Sequence, residues 1–564
     1  MTAPETLTTK TVVQGLVLIW LLLWPLDGQA AGANSRTLVV VPGVGVGPPA
    51  DINGFKPLLI SSVFDEQAAN LLFAPLLWIN RHLHIDYALS IARSVKVGPH
   101  HRRYTIILKK HWLWSNGTPV TARDVAYTYD LILRLKHRFA NYGTGGIPTE
   151  VASFTVLNPY TIRIVTRRPV NPLWFELNGL SLLVPLPAED WRKTPIVKLY
   201  DTMTDVAFFQ TVDGPFHLQS FRPGRYATFT ANKSYSGPDK PYFQRLVFRF
   251  LQSPESVFFA LRARRIQIGN LPMSLYRGRR QLTGFRAYPI GPTWGFNYIG
   301  FNYANPRIAF LRDVRVRQAI MHAISQSLLI RMLYHGHGLR DYGPIPPRPA
   351  TFLSQKAQAL DKHGAYDPRR ARRLLREAGW RRGPDGVRRK NGHKLAFTLS
   401  LPPGDVRGPV LIKDLLARVG IDMRLRETPF NEIVAMTEDP HNTTWQAMAL
   451  AWGLSAYPSA GNIFACGAAN NDYHYCNPTL DKRLRALTRP GGPAAMYRYE
   501  DYFISQQPVI VLPASPIIVE AARDLKGLHR AFSPLGGFNP EFLRKRGLHT
   551  GKTLSKTTDH AGRP

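Results

Sequence analysis

Acidic residues and cysteine are the scarce components of this 564-residue chain. It holds 38 Asp and Glu against 72 Lys and Arg, a formal net charge of +34, and only two cysteines. Such a surplus of positive charge favours anionic partners: nucleic acid, an acidic membrane surface or anionic solutes. Yet no RNA-binding aromatic motif, zinc-finger spacing or helix-turn-helix pattern accompanies the basic residues. They are spread along the chain, and the densest runs, Arg369-Arg370 with Arg372-Arg373 and Arg381-Arg382, read as helical surface. Nucleic acid is therefore not an expected partner. Beyond the N-terminal stretch no segment holds eighteen uninterrupted apolar residues, so the mature protein reads as soluble. Enzyme signatures are missing as well. Ser153, Ser181 and Ser256 sit in no Gly-x-Ser-x-Gly elbow, and no HExxH helix or Gly-rich phosphate loop occurs. His335 and His337 stand two apart across a glycine, where a turn makes them diverge. No catalytic residue, cofactor or metal site is expected.

What is present is globular. Hydrophobic residues make up 44% and charged residues 20% of the chain. Its length calls for two to four domains. Lys10 precedes an apolar run from Val12 to Trp24, and Gly28-Gln29-Ala30 offers small residues for cleavage after Ala30. Residues 1–30 thus read as a secretory signal peptide, with an uncleaved anchor as the alternative. No cysteine follows the run, so a lipoprotein anchor is not expected, and the protein is placed in the periplasm. In an exported chain Cys466 and Cys476 are read as one disulfide closing a short loop. A metal site using His474 and Asp472 between them is the alternative.

Along the chain, Thr37–Val41 and Tyr104–Leu108 read as strands, and Asp65-Glu66 open an apolar-periodic helix through Leu71 and Leu72. In Trp112–Tyr127, WLWSNGTPVTARDVAY, a strand end meets an Asn116-Gly117 turn, and Thr121 with Asp124 forms a capping box at a helix start. Residues 151–168 read as a strand pair turning at Asn158-Pro159, and Asn171–Leu183 as a helix bearing Trp174. Residues 213–251 alternate strand, Pro223-Gly224 hairpin, strand, loop and strand. A helix follows at Pro254–Arg264, and an aromatic, asparagine-bearing strand lies within 291–306. Helices are expected after Asp313, from Asp367-Pro368 to Glu377, over Leu411–Val419 and after Asn477-Pro478. The basic, Ser/Thr-rich tail 548–564 reads as disordered.

Several of these segments together resemble the family 5 extracytoplasmic solute-binding proteins, the peptide, nickel and related receptors of ABC importers. Gly117, Thr118, Pro119, Thr121, Ala122, Asp124 and Val125 match the family signature, with Asn116 where an aspartate is usual. Gly214, Pro215, Phe216, Pro223, Gly224, Asn232 and Tyr235 match a second pattern, and Asp313-Val314-Arg315-Val316-Arg317-Gln318-Ala319 a third. Leu89–Val95, Tyr334–Gly338, Tyr366-Asp367-Pro368, Glu377-Ala378-Gly379 and Asn477–Asp481 extend the resemblance over about residues 60–545.

The resemblance implies a bilobal α/β fold of the periplasmic-binding-protein type, class II, with an additional domain, mixed sheets flanked by helices and a ligand cleft between lobes. A discontinuous first domain would comprise 35–64, 205–290 and 508–547, a second 65–204, and a third, forming the other lobe, 291–507. The implied function is capture of a peptide or peptide-like solute by a monomer and its delivery to an ABC permease in the inner membrane, by closure and without bond chemistry. Candidate ligand walls are Trp294, Phe296 and Tyr298 on the interlobe strand, and Trp452; Asn297 could supply amide contacts. Each of these aromatics is equally consistent with ordinary core. In the peptide-binding members an aspartate three residues after the matching tryptophan pairs with the peptide ammonium; Ser455 stands there in this chain. A buried ammonium without a carboxylate costs several kcal/mol. The carboxylate then comes from elsewhere, or the solute is not a free-amine peptide. An anionic solute or a metal–chelator complex fits the same departure.

Overall fold

The computed structural model describes residues 36–43, 52–60, 62–139, 141–251, 253–404, 406–438, 442–468 and 470–546. The expected signal peptide and basic tail lie outside the described residues. Three main sheets organise the rest. A seven-stranded sheet runs, edge to edge, through Phe285–Pro292, Pro516–Ala522, Ile268–Asn270, Thr37–Val40, Arg245–Arg249, Tyr226–Ala231 and Phe216–Arg222. A four-stranded antiparallel sheet holds Ala92–Val97, Arg103–Leu108, Thr161–Thr166 and Val151–Asn158. A five-stranded mixed sheet holds Asp422–Glu427, Ala396–Leu401, Ala447–Gly453, Gly295–Phe301 and Ile510–Leu512. The first lobe here denotes the part around the first two sheets, and the second lobe the part around the third.

The chain crosses between lobes twice. Phe285–Pro292 passes directly into Gly295–Phe301, and Ile510–Leu512 into Pro516–Ala522. The two crossings lie side by side: they pair antiparallel from Phe285↔Ala522 to Pro292↔Pro516 on one side and from Asn297↔Leu512 to Ile299↔Ile510 on the other.

Local chemistry explains the elements. Thr121 and Asp124 form both halves of the capping box on the helix Ala122–Leu135, with the Thr121 amide donating to Asp124 Oδ2 at 2.8 Å. Asn116 Oδ1 accepts from the Thr118 amide at 3.0 Å, so the amide side chain closes this turn through its oxygen, as an aspartate carboxylate would. The Trp112 indole donates to buried Asp213 at 3.1 Å, and Asp213 also accepts from the Ala74 amide at 3.0 Å. Two distant sequence motifs are thereby tied together inside the first lobe. Cys466 and Cys476 form the expected disulfide. It stabilises by roughly 2–3 kcal/mol on a chain-entropy argument and takes both thiols out of metal ligation.

Two boundaries differ from the sequence expectation. The Asn171–Leu183 helix is regular only over Pro172–Asn178, followed by a 3-10 turn at Leu180–Leu182. Gly179 ends it: a Cβ there would lie 2.6 Å from the Gly145 carbonyl, so the chain is pressed against a neighbouring loop. The strand expected from Leu89 starts at Ala92 because the amides of Leu89 and Ser90 both donate to the Asp86 carbonyl and make a turn.

Several carboxylates are sealed in the core. Glu500 and Glu541 are fully or nearly fully buried, and burial pushes each up to about 8, with Asp501 and Asp239 respectively adding to the rise. Buried Lys56, gripped by the Leu199 carbonyl at 2.8 Å, is pushed down to about 7 by the same loss of solvation.

The sign for stability follows from proton binding. Between the unfolded carboxylate value near 4.5 and the folded value near 8, the folded state keeps a proton that the unfolded state has released. The stability these glutamates contribute is complete below about 4.5 and is lost as pH rises through about 8. Lys56 acts in the opposite sense, but only above about 7. Half-buried His217 and buried His322, both held down by desolvation, also oppose the trend below their ordinary range. From pH 5 to pH 7, Glu500→Gln is therefore expected to flatten the fall in unfolding free energy relative to the parent chain, by ~1 kcal/mol per pH unit, and with it the fall in melting temperature. Calorimetry at both pH values measures this; an unchanged slope would contradict a protonated Glu500. Thr121→Ala is expected to lose about 1 kcal/mol in urea unfolding through loss of the cap.

Candidate functional site

Antiparallel alternation aims side chains at the junction of the lobes. Along Phe285–Pro292, Phe285 is buried in a core cluster while Arg286, Tyr288 and Ile290, at period two, line a cavity of about 860 Å³. Ile517 and Arg523, from the second crossing strand and its exit, line it from alongside, and Pro289, Gly291, Pro292, Ala514 and Pro516 complete its base. Arg81, His82 and the 525–534 segment close it from the first lobe; His337, Leu339, Arg348, Pro349 and Ala350 close it from the second. A cleft of this size, shared between two lobes and floored by their connecting strands, has the form of a small-molecule binding site.

Its electrostatics are one-sided. Arg81, Arg286, Arg348, Arg523, Lys526 and Arg546 line it together with three histidines, and no Asp or Glu is among the described lining residues. Arg348 lies 3.6 Å from Asp361, outside the lining. The other five cations have no carboxylate within 4.0 Å among the described residues.

The lobes also touch around the cavity. Asn178 makes a two-way amide contact with the Tyr457 backbone, at 2.8 Å in each direction. The Asn171 amide donates to the Tyr457 hydroxyl at 3.0 Å and to the Leu487 carbonyl at 2.8 Å. Thr351 donates to the His82 carbonyl at 2.8 Å. At the cavity edge the Tyr276 hydroxyl shares a 2.5 Å hydrogen bond with His337 Nε2, and its ring stacks on His335 at 4.7 Å. Arg279, ion-paired with buried Glu520, lies over the same tyrosine ring. His335 and His337 thus act together on a tyrosine of the other lobe; among the described residues no three His, Cys, Asp or Glu stand grouped for a metal.

The six residues singled out from the sequence lie beside this cavity but do not line it. Phe296 and Tyr298 are 2% and 1% exposed, packed on Phe464 and Tyr473. Trp294 is 2% exposed and its indole donates to the Ser455 carbonyl at 2.9 Å. Asn297 donates to the Pro513 carbonyl at 3.0 Å and to the Ser515 hydroxyl at 3.2 Å, stapling one crossing strand to the other. Trp452 is half-buried, its indole donating to the Tyr473 hydroxyl at 2.7 Å, and Ser455 is exposed. Sequence reasoning missed Asn171, Asn178, Tyr276 and the cavity cations. Isolated amides and arginines in a chain this basic carry no local signal; only the crossing of the strands brings them together.

Two lobes joined by paired crossing strands around a cavity define the periplasmic-binding-protein class. CtaP of Listeria monocytogenes, an ABC transporter substrate-binding protein, superposes with a TM-score of 0.77 at 16% identity, over 91% of this chain and all of that one. AppA of Bacillus subtilis, solved with a nonapeptide, superposes with a TM-score of 0.68 at 23% identity, over 91% of this chain and 99% of that one. In sequence the chain is 24% identical over 442 residues to the oligopeptide-binding protein AppA of Bacillus subtilis strain 168, spanning 76% of this chain and 78% of AppA. The sequence profile of bacterial extracellular solute-binding proteins, family 5, matches residues 86–473, and the chain belongs to that family.

The Tyr276 contact gives a direct test of closure. Tyr276→Ala is expected to shift the unliganded protein toward an open form, read as a larger radius of gyration in small-angle scattering with unchanged circular dichroism. Identical scattering would deny the contact a part in holding the lobes together.

Proposed function

We propose that this protein captures a peptide or peptide-like solute between its lobes and delivers it to an ABC permease, with lobe closure as its mechanism. The observation that carries this reading is the roughly 860 Å³ cavity built jointly by both lobes and floored by the two strands that connect them. Occupation of such a cavity favours the closed arrangement, because the solute touches both lobes only when they are together. Relatives named as oligopeptide-binding proteins support a peptide as the solute class. No step needs a nucleophile, metal or cofactor. A receptor for a metal chelate or another non-peptide anion is the second reading, supported by Ser455 and by the cationic lining.

The working division is a discontinuous first domain around the larger sheet, a second domain around the antiparallel sheet and a third comprising the other lobe. Its second crossing falls between Leu512 and Pro516, since Ile510–Leu512 pairs in the second lobe's sheet. The protein acts as an exported periplasmic monomer. Half-buried Trp452, with exposed Gly453 and Ser455 near it, stands outside the cavity lining and would meet only a solute that extends past that lining toward the Tyr457 contact.

Native mass spectrometry of the protein as isolated, followed by thermal-shift titration with peptides and metal chelates, tests the reading. One solute per chain with saturable stabilisation, growing with the ratio of concentration to Kd, is expected. Absence of any bound solute together with tight DNA binding at physiological salt would overturn it. Trp452→Ala, outside the cavity lining, is expected to weaken binding only of a solute long enough to reach past that lining, with the unliganded fold intact; a variant that fails to fold would make Trp452 core instead.

A further inference from the structure

We infer that the solute held in the interlobe cavity is a small polyanion, bearing two or more carboxylate or phosphate groups and no free ammonium at its bound end. This deepens the receptor reading and rests on the cavity being the solute site. Arg286 and Arg523 come from neighbouring antiparallel strands: Arg286 pairs with Ala521, and the Arg523 side chain donates through Nε to the Phe285 carbonyl at 3.1 Å. That hydrogen bond fixes the Arg523 stem and leaves its terminal nitrogens to a ligand. Both side chains line the same cavity, with the Arg286 guanidinium over the Tyr288 ring at 6.0 Å, and an oxyanion that reaches both can be gripped with paired N–H donors.

Arg81 approaches from the first lobe, with one terminal nitrogen on the His529 carbonyl at 3.4 Å, and Arg348 from the second. A solute with one anionic group satisfies one wall; a solute with two bridges the lobes and favours closure. A cationic solute end meets the opposite situation. The described lining offers it no carboxylate. Peptide-like chemistry is compatible with all of this provided the amine is blocked or absent and acidic groups are present.

The general charge of +34 could attract anions without a site, so the test must separate the two. Titrations at 0.15 M salt, where exposed charges are screened beyond about 8 Å, use N-acetyl-Glu-Glu-Glu, citrate and inositol trisphosphate against Ala-Ala-Ala and Lys-Lys-Lys. The paired variant Arg286→Ala with Arg523→Ala is compared with Arg369→Ala with Arg373→Ala, on an exposed helix remote from the lining. Expected is saturable one-to-one binding of at least one oxyanion solute. Its affinity should fall tenfold or more in the cavity variant and less than twofold in the helix variant. Which oxyanion binds separates carboxylate from phosphate recognition.

An equal loss in both variants would reduce the effect to net charge and overturn the inference. Binding of trialanine or trilysine with no oxyanion binding would overturn it while leaving the receptor reading intact. No saturable binding by any solute of either kind, with none carried through purification, would overturn both. Should the cavity variant fold poorly, Arg286→Gln with Arg523→Gln keeps the stem packing and removes only the charge, and the same comparison applies.

Discussion

Everything in this molecule depends on the chain crossing between lobes twice along adjacent antiparallel strands. A single connection would let the lobes swivel; two strands paired on both sides of the junction restrict motion to bending across them. Pairing also sets which side chains face the junction, because alternation along Phe285–Pro292 turns Phe285 into the core and Arg286, Tyr288 and Ile290 into the cavity. Asn297 reinforces the crossing by reaching from one strand to the Pro513 carbonyl and Ser515 hydroxyl of the other. The bend, the cavity and the closing contacts are consequences of one topological fact.

Charge is distributed with the same logic. The cations are largely solvent-facing or cavity-facing, and several buried acids are held neutral rather than paired. Arg388 is a buried exception: burial lowers its pKa, and the neighbouring Arg376, Arg382, Arg372 and Arg381 add to the effect. Inside, Glu500 and Glu541 keep their protons near neutrality because burial penalises the ionised form more than their hydrogen bonds support it. These sealed glutamates favour mild acidity, and the uncompensated lining of the cavity favours an anionic guest.

Much of the scaffold was legible in the sequence, since its signals are local. The Thr121–Asp124 box, the Asn116-Gly117 turn and the caps at Asp313, Asp367 and Asn477 satisfy backbone groups within three residues of themselves, so they read correctly without tertiary information. The departures had two causes: Gly179 pressed against the distant Gly145 cut a helix short, and a local turn on the Asp86 carbonyl delayed a strand. The aromatic strand lies inside the five-stranded sheet, paired on both sides. That Phe296 and Tyr298 turn inward onto Phe464 and Tyr473, while Tyr288 and Ile290 face the cavity, depends on partner strands far away in sequence.

The sequence by itself thus determined the family, the α/β bilobal scaffold and the disulfide, because each resides in short-range patterns or in residue identity. Only the tertiary structure decided where positive charge converges. Arg81, Arg286, Arg348 and Arg523 are separated by tens to hundreds of positions and look no different from the other basic residues of the chain. They become a site because two crossing strands bring the lobes together around them, and Coulomb interactions depend on distance in space, not along the chain.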